Sequence, residues 1–168
     1  YGQLGTGTTT GSVTPVQISS SVVSIAAGEA HSLFVKDDGS VWSMGRNLYG
    51  ELGDGSKTQR KAPVKIASGA AMVVAARYSS CIIKRDGSLW VLGEYVSTQT
   101  GATEGVPFKL ASCVTEATTG GACIAFKRND RTLWYSLPPF RMTLEGTGTS
   151  LTASDARVFY TKADGSLW

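Results

Sequence analysis

Short apolar runs alternate with turn residues along the whole chain, and no stretch carries an apolar stripe of helical period with capping signals at both ends. The runs Ser32-Leu-Phe-Val35, Ser80-Cys-Ile-Ile83, Cys123-Ile-Ala-Phe126 and Val158-Phe-Tyr-Thr161 place apolar residues at neighbouring positions rather than at alternate ones. Strands of that kind are buried on both faces, as in sheets stacked face to face around an axis. Each run leads into a turn and a tryptophan: Asp38-Gly-Ser-Val-Trp42, Asp86-Gly-Ser-Leu-Trp90, Asp130-Arg-Thr-Leu-Trp134 and Asp164-Gly-Ser-Leu-Trp168. Asp-Gly between apolar runs predicts a hairpin, with a type I′ turn and positive φ at both central residues as the expected connection. The third turn, Asn129-Asp130-Arg131, reads as one residue longer, so a different turn type is expected there.

These phrases hold all four tryptophans, at spacings of 48, 44 and 34 residues. A tryptophan repeated at such intervals marks a structural unit rather than a catalytic centre, and packing between sheets is its expected role. Pro15-Val-Gln-Ile18, Pro63-Val-Lys-Ile66 and Pro107-Phe-Lys-Leu110 keep the same steps of 48 and 44. A proline there suits a strand's first residue or an edge strand. A third marker, Tyr1-Gly-Gln-Leu-Gly-Thr-Gly7, recurs as Tyr49-Gly-Glu-Leu-Gly-Asp-Gly55. Small residues precede the apolar runs at Ile25-Ala-Ala-Gly28, Val74-Ala-Ala76 and Ala117-Thr-Thr-Gly120, as crowding at a central axis requires. The expected fold is an all-β propeller of four-stranded blades, with about three and a half to four units over residues 1–62, 63–106, 107–150 and 151–168, the last incomplete.

Two common propeller signatures do not fit: Ser43, Val91 and Tyr135 follow the tryptophans where a Trp-Asp pair would be needed, and a glycine doublet occurs once, at Gly120-Gly121. The phrase from Val22-Val-Ser-Ile-Ala-Ala-Gly-Glu-Ala-His-Ser-Leu33 through Asp38–Trp42, Gly45-Arg-Asn47 and Tyr49-Gly-Glu-Leu-Gly53 to Pro63 resembles a full repeat of the RCC1 (regulator of chromosome condensation) family. The resemblance is close over 12–66, looser over 67–110, and carried further on by Cys123–Trp134 and Arg157–Trp168. It implies a propeller, commonly of seven blades, and a habit of binding other proteins. Family members include a guanine-nucleotide exchange factor, a secreted β-lactamase inhibitor and bacterial surface or secreted proteins; a bacterial-type member, extracellular or at the cell surface, is the expectation here. The chain has no initiator Met and stops just short of the phase in which it begins, so a fragment of a larger propeller is expected, with a pair of arcs closing one ring as the alternative.

Charge changes this picture little. The net charge is +3, with basic loops at Lys57, Arg60, Lys61 and at Lys127, Arg128, Arg131 that read as solvated turns. No nucleic-acid motif or basic stacking platform is present, and the longest apolar stretch, Ala70 to Ala76, is too short to span a bilayer. Cys81, Cys113 and Cys123 form no C-x-x-C; Cys81 and Cys123 fall in buried-strand positions and read as small hydrophobes. The single histidine, His31, has Ser79, Ala122 and Arg157 as its expected counterparts, none a comparable base, so it reads as structural. Gly50 to Thr58 approaches a phosphate loop, but Ser56 intervenes before Lys57 and no helix follows. Asp37-Asp38-Gly39 lacks a calcium-loop pattern. No catalytic, metal or cofactor residue is therefore assigned.

In a propeller, partners meet the loops at the blade ends. Tyr135-Ser-Leu-Pro-Pro-Phe-Arg141 departs from the repeat, which makes Leu137, Phe140 and Arg141 candidate partner contacts. Arg77 and Tyr78, replacing the small residues near Gly28–Ala30, are the second candidate and are expected at one mouth of the channel. The functional expectation is a non-enzymatic protein–protein interaction scaffold. A regulator of a small GTPase resembling an exchange factor, a secreted enzyme inhibitor and a carbohydrate-binding surface module remain its alternatives. The partner expected is another protein, with self-association open; neither nucleic acid nor membrane insertion is expected.

Overall fold

The computed structural model describes residues 1–94, 105–120, 123–137, 141–154 and 157–168, with backbone alone for 137 and 141–145. Three four-stranded antiparallel sheets follow one another along the chain, each an in-order meander. The first holds β1 (Val22–Ala27), β2 (His31–Lys36), β3 (Val41–Gly45) and β4 (Arg60–Ala67). The second holds β5 (Ala70–Ala75), β6 (Ser79–Lys84), β7 (Leu89–Gly93) and β8 (Phe108–Ala111). The third holds β9 (Val114–Thr119), β10 (Ile124–Arg128), β11 (Thr132–Leu137) and β12 (Arg141–Thr147). A fourth sheet starts with β13 (Ser150–Ser154) and β14 (Arg157–Thr161), against which Leu167 forms a bridge to Thr161. The chain is thus an all-β partial propeller.

The first strands β1, β5, β9 and β13 pack on one another in order, as strands lining a common axis do. Their small residues permit that approach. The second strands are buried almost throughout, which explains why their apolar residues do not alternate. The proline strands are outermost, and Pro63 lies within the edge strand β4, where it removes no ladder bond.

One packing rule repeats between sheets. Leu33, Val35 and Val41 of the first sheet pack with Val73, Ile82 and Leu92 of the second. Moved along by one unit, Cys81, Ile83 and Leu89 pack with Ala117 and Phe126 of the third, and Ala125 and Leu133 then meet Leu151 and Tyr160 of the fourth. The buried Cys81 fills a leucine position, and burial pushes its thiol up to about 12. Cys123 is also buried, whereas Cys113 is exposed.

The Asp-Gly hairpins are not type I′ turns. Gly39 donates its N–H to the Lys36 carbonyl at 2.8 Å, and of the loop residues only Gly39 has positive φ (79°). Two residues of negative φ followed by a left-handed one make the three-residue hairpin loop. The third turn has the same length: Arg131 N–H donates to the Arg128 carbonyl at 2.9 Å, and Arg131 takes the glycine position at φ 67°. The side chain explains the tolerance, because the Asp130 carboxylate accepts the Thr132 N–H and hydroxyl at 2.9 and 2.6 Å, as its counterparts do in the other turns. A left-handed non-glycine residue costs roughly 1–2 kcal/mol. Arg131→Gly is therefore expected to stabilise the protein by about 1 kcal/mol, read as a raised urea midpoint with unchanged slope.

Each tryptophan completes this turn. Its indole N–H donates to the Ser or Thr hydroxyl two residues before it, at 2.9 Å for Trp42 and Trp90, 3.1 Å for Trp134 and 2.8 Å for Trp168. Lys36, Lys84, Arg128 and Lys162 lie over the respective rings at 5.4, 4.5, 4.7 and 3.5 Å. The first three tryptophans are half-buried rather than sealed between sheets, and Trp168 is exposed. Their polar edge braces the hairpin, and their face carries a cation.

Candidate functional site

Chain direction sorts the connections to two ends of the sheets. The Asp-Gly hairpins lie at one end, whereas the β1–β2, β3–β4 and β5–β6 connections share the other. At that second end the loop after β3 spans 46–59 and leans onto the second sheet. Gly55 N–H donates to Gly105 O at 2.8 Å, and Ser80 donates its hydroxyl to the Glu51 carbonyl at 3.2 Å. Asn47, fully buried, organises the loop by donating to Asp54, Ser56 and Thr58 while accepting the Leu52 N–H at 3.0 Å. In the stretch resembling a phosphate loop, Asp54, Ser56 and Thr58 thus spend oxygens on Asn47.

Arg46 stands at the centre of this end, 7% exposed. Its Nε donates to Glu51 Oε1 and its Nη1 to Glu29 Oε2, both at 3.0 Å, while Nη2 donates to the Arg77 carbonyl at 2.8 Å. Glu51 is wholly buried, and its other oxygen accepts the Tyr49 N–H at 2.8 Å. Burial opposes the charge on Arg46, but its hydrogen bonds to Glu29 and Glu51, with the attraction of their charges, outweigh it and hold the guanidinium above its ordinary value. Two guanidinium groups lie over the Tyr78 ring, Arg46 at 4.5 Å and Arg77 at 4.8 Å from its centroid. Tyr49 meets Tyr78 at 5.0 Å, and Tyr1 lies 5.9 Å from Arg46. The solvent side of the cluster is presented by Tyr1 (54% exposed), Tyr49 (37%) and the Arg77 side chain (57%), whose Nε is 3.5 Å from Glu29.

His31 lies beneath this cluster, 1% exposed. Its Nε2 is 2.8 Å from Ser80 Oγ, a nucleophile-to-base spacing. Both side chains are buried, however, and the Ser80 hydroxyl proton goes to the Glu51 carbonyl, so Nε2–H donates and Nδ1 is left without a partner. Burial, with Arg46 adding repulsion, lowers the imidazole from 6.5 to about 4. A histidine of depressed folded-state pKa binds its proton more readily when unfolded. Stability is therefore complete above pH 6.5, falls as pH drops toward about 4, and levels off below. At about 1.4 kcal/mol per pH unit the loss amounts to roughly 3 kcal/mol, and urea midpoints measured from pH 7 to 4.5 check it. The turn aspartates, held below 3.8 chiefly by the Ser or Thr hydroxyl, add to the loss only under that pH. Register places Cys123, not Ala122, at the third-unit position of His31, because Ile124 pairs with Ser136 as Ser32 pairs with Met44.

Arg77 and Tyr78 are therefore brought together with Glu29, Arg46, Tyr49 and Tyr1, a cluster reached in the sequence only through Arg77 and Tyr78. Leu137 and Arg141 pair across β11 and β12; their side chains and Phe140 lie outside the described residues. Among the described residues no group of three or more His, Cys, Asp or Glu is placed to hold a metal ion, and no helix is long and apolar enough to cross a membrane.

The family model for the regulator of chromosome condensation (RCC1) repeat matches residues 1–35 and 38–83, and a second model of the same repeat matches 22–51. No curated protein sequence matches the chain. Among solved structures, human WBSCR16 is similar at a TM-score of 0.76 and 20% identity, over 90% of this chain and 48% of that one. Yeast RCC1 (Prp20), solved bound to Kap60, is similar at a TM-score of 0.73 and 16% identity, over 87% of this chain and 42% of that one. A separate crystal structure of Prp20p from Saccharomyces cerevisiae gives 0.73 and 17% over 87% and 43%. At such identities the likeness is one of fold, and the chain spans about half or less of each of these proteins. The matched models and the blade geometry agree: residues 1–83 are RCC1 repeats, and the chain has the fold of an RCC1 propeller.

Proposed function

We propose that the chain is a non-catalytic protein-interaction scaffold whose partner meets the Arg77–Tyr78 end of the first two sheets. The observation that carries this reading is the pair of guanidinium groups, Arg46 and Arg77, over the Tyr78 ring, with Tyr49 beside that ring and Tyr1 beside Arg46. Tyrosine and arginine dominate binding hot spots, and a rigid aromatic–guanidinium array loses little side-chain entropy on binding. The buried Arg46–Glu51 pair holds the array before any partner arrives. The solved neighbours support a protein as partner: one is bound to Kap60, and Prp20p is described with binding properties to Gsp1p and histones.

Gsp1p and histones are accordingly the first probes. Immobilised chain is expected to bind one of them, and Tyr49→Ala/Arg77→Ala to bind at least tenfold more weakly, about 1.4 kcal/mol. Both side chains are partly exposed and the Arg77–Glu29 pair is a surface one, so the melting temperature should stay within about 2 °C. A double variant that binds as tightly as wild type contradicts the proposed face. Release of labelled nucleotide from Gsp1p, followed with and without the chain, separates a scaffold, which leaves the rate unchanged, from an exchange factor.

A further inference from the structure

The connection between β5 and β6 carries two side chains that the repeat does not require. With Ser79, His31 and Cys123 set level by strand register, Arg77-Tyr78 stands where the first unit has Glu29-Ala30 and the third Gly121-Ala122. The smaller residue closes the same turn equally well: the Ala30 carbonyl accepts the Arg46 N–H at 2.8 Å, as the Tyr78 carbonyl accepts the Glu94 N–H at 3.0 Å. The backbone bearing the larger pair is held firmly. Ala76 N–H donates to Ser79 O at 2.9 Å, and the Arg77 carbonyl accepts Arg46 Nη2 at 2.8 Å. Both side chains therefore project from a fixed connection without being needed to close it.

Most polar atoms of the cluster are already engaged. Arg46 uses Nε, Nη1 and Nη2 on Glu51, Glu29 and the Arg77 carbonyl. Glu51 uses one oxygen on Arg46 and the other on the Tyr49 N–H. Glu29 gives Oε2 to Arg46, and its Oε1 lies 3.5 Å from Arg77 Nε. What remains is a set of donors. Arg77 Nη1 and Nη2 and the hydroxyls of Tyr49 and Tyr78 make no hydrogen bond among the described residues. The Arg77 contact with Glu29 is long and exposed, so it holds that guanidinium only weakly. Nε faces Glu29, which leaves the Nη1–Nη2 edge, two parallel N–H groups that match the two oxygens of a carboxylate. The charges of Glu29, Arg46, Glu51 and Arg77 sum to zero. The cluster thus offers an anion paired donors without the excess positive charge that suits a phosphate group of about −1.5 to −2.

Resting on the reading that a partner protein meets this end of the sheets, we infer that Arg77 receives the carboxylate of an internal Asp or Glu of that partner through Nη1 and Nη2. The Tyr49 and Tyr78 rings, 5.0 Å apart, take the apolar side chains next to that residue, and their hydroxyls donate to its flanking backbone carbonyls. An internal acid is the occupant because chain-terminal carboxylates are captured by successive backbone N–H groups, whereas the free donors here belong to side chains of two separate connections. The Arg77 backbone is fixed before binding, so little ordering cost falls on the contact.

Fluorescence anisotropy with labelled peptides of blocked ends is the test, using the sequence Gly-Leu-Asp-Glu-Phe-Gly and its counterpart with Asn-Gln in place of Asp-Glu. The acidic peptide is expected to bind the chain, and the amide peptide to bind about tenfold more weakly or worse. Freeing the C-terminal carboxylate of the amide peptide should not restore binding. Arg77→Gln is expected to abolish the preference for the acid, and Arg77→Lys, which keeps the charge without the paired donors, to recover only part of it. The Arg77 side chain is 57% exposed, so both variants should keep the circular dichroism of the wild type. Equal affinity for the two peptides overturns the inference, as does an acid preference that survives Arg77→Gln. A preference satisfied by the free C-terminus, or an acidic peptide that does not bind, overturns it too. The underlying reading fails separately, when Tyr49→Ala/Arg77→Ala binds its protein probe as tightly as wild type. A double variant that loses the protein probe while the peptides show no acid preference overturns the inference alone.

Discussion

Gly45→Ala is expected to destabilise the protein by about 4 kcal/mol or more, in the range reserved for severe packing faults. Gly45 closes β3 at φ 106°, and an added Cβ would lie 2.5 Å from the Ala30 carbonyl oxygen and 2.7 Å from His31 Cα. Both obstacles are backbone in the connection that carries Glu29 and His31, so relief would require that connection to move. The same clash recurs one unit on, where a Cβ on Gly93 would meet the Tyr78 carbonyl and Ser79 Cα. Gly146 separates the two causes, since it has the same φ of 106° with nothing within 4 Å of an added Cβ. Gly146→Ala should cost only the backbone term, roughly 1–2 kcal/mol. Denaturant midpoints for the two variants check the account, and equal losses would show that crowding at Gly45 is not the cause.

Glu51→Ala has the second largest expected effect, about 3–5 kcal/mol, because it leaves Arg46 buried without its innermost partner. At roughly 2–4 °C per kcal/mol for a chain of this size, the melting temperature should fall by about 10 °C. The Tyr49 N–H and the Ser80 hydroxyl meet at the same residue, one through the side chain and one through the backbone, so only the first is lost. Arg46→Met/Glu51→Leu should recover part of the stability by replacing the pair with apolar volume. The rescued protein should still lose partner affinity, because Tyr78 would no longer have the Arg46 guanidinium over its ring. Recovery of both stability and binding would contradict the role given to Arg46.

The repeat rhythm made the sheets legible because a propeller blade writes itself into the chain at fixed offsets. The doubly apolar second strands, the proline edge strands and the tryptophan positions all follow from local burial. Turn type was less legible: Asp-Gly suits both a type I′ turn and the observed loop, and which one forms depends on whether Asp38 takes positive φ together with Gly39 or Gly39 does so alone. Arg131 shows why residue type misled, since its position is set by the Asp130–Thr132 bonds rather than by its own preference. His31's third-unit counterpart was misplaced by one residue because only strand pairing fixes register. The cluster around Arg46 was largely hidden. Glu29, Arg46, Tyr49 and Arg77 lie on three separate connections, and no sequence period brings them together. Tyr49 and Arg46 sit inside repeat phrases, where they read as scaffold.

Hydrogen exchange on the chain with bound partner, either Gsp1p or histone, tests the central claim most directly. The account predicts new protection in the β1–β2, β3–β4 and β5–β6 connections, at residues 28–30, 46–51 and 76–78, with the Asp-Gly hairpins at 37–39 and 85–87 unchanged. Protection confined to those hairpins, at the opposite end of the sheets, would contradict it.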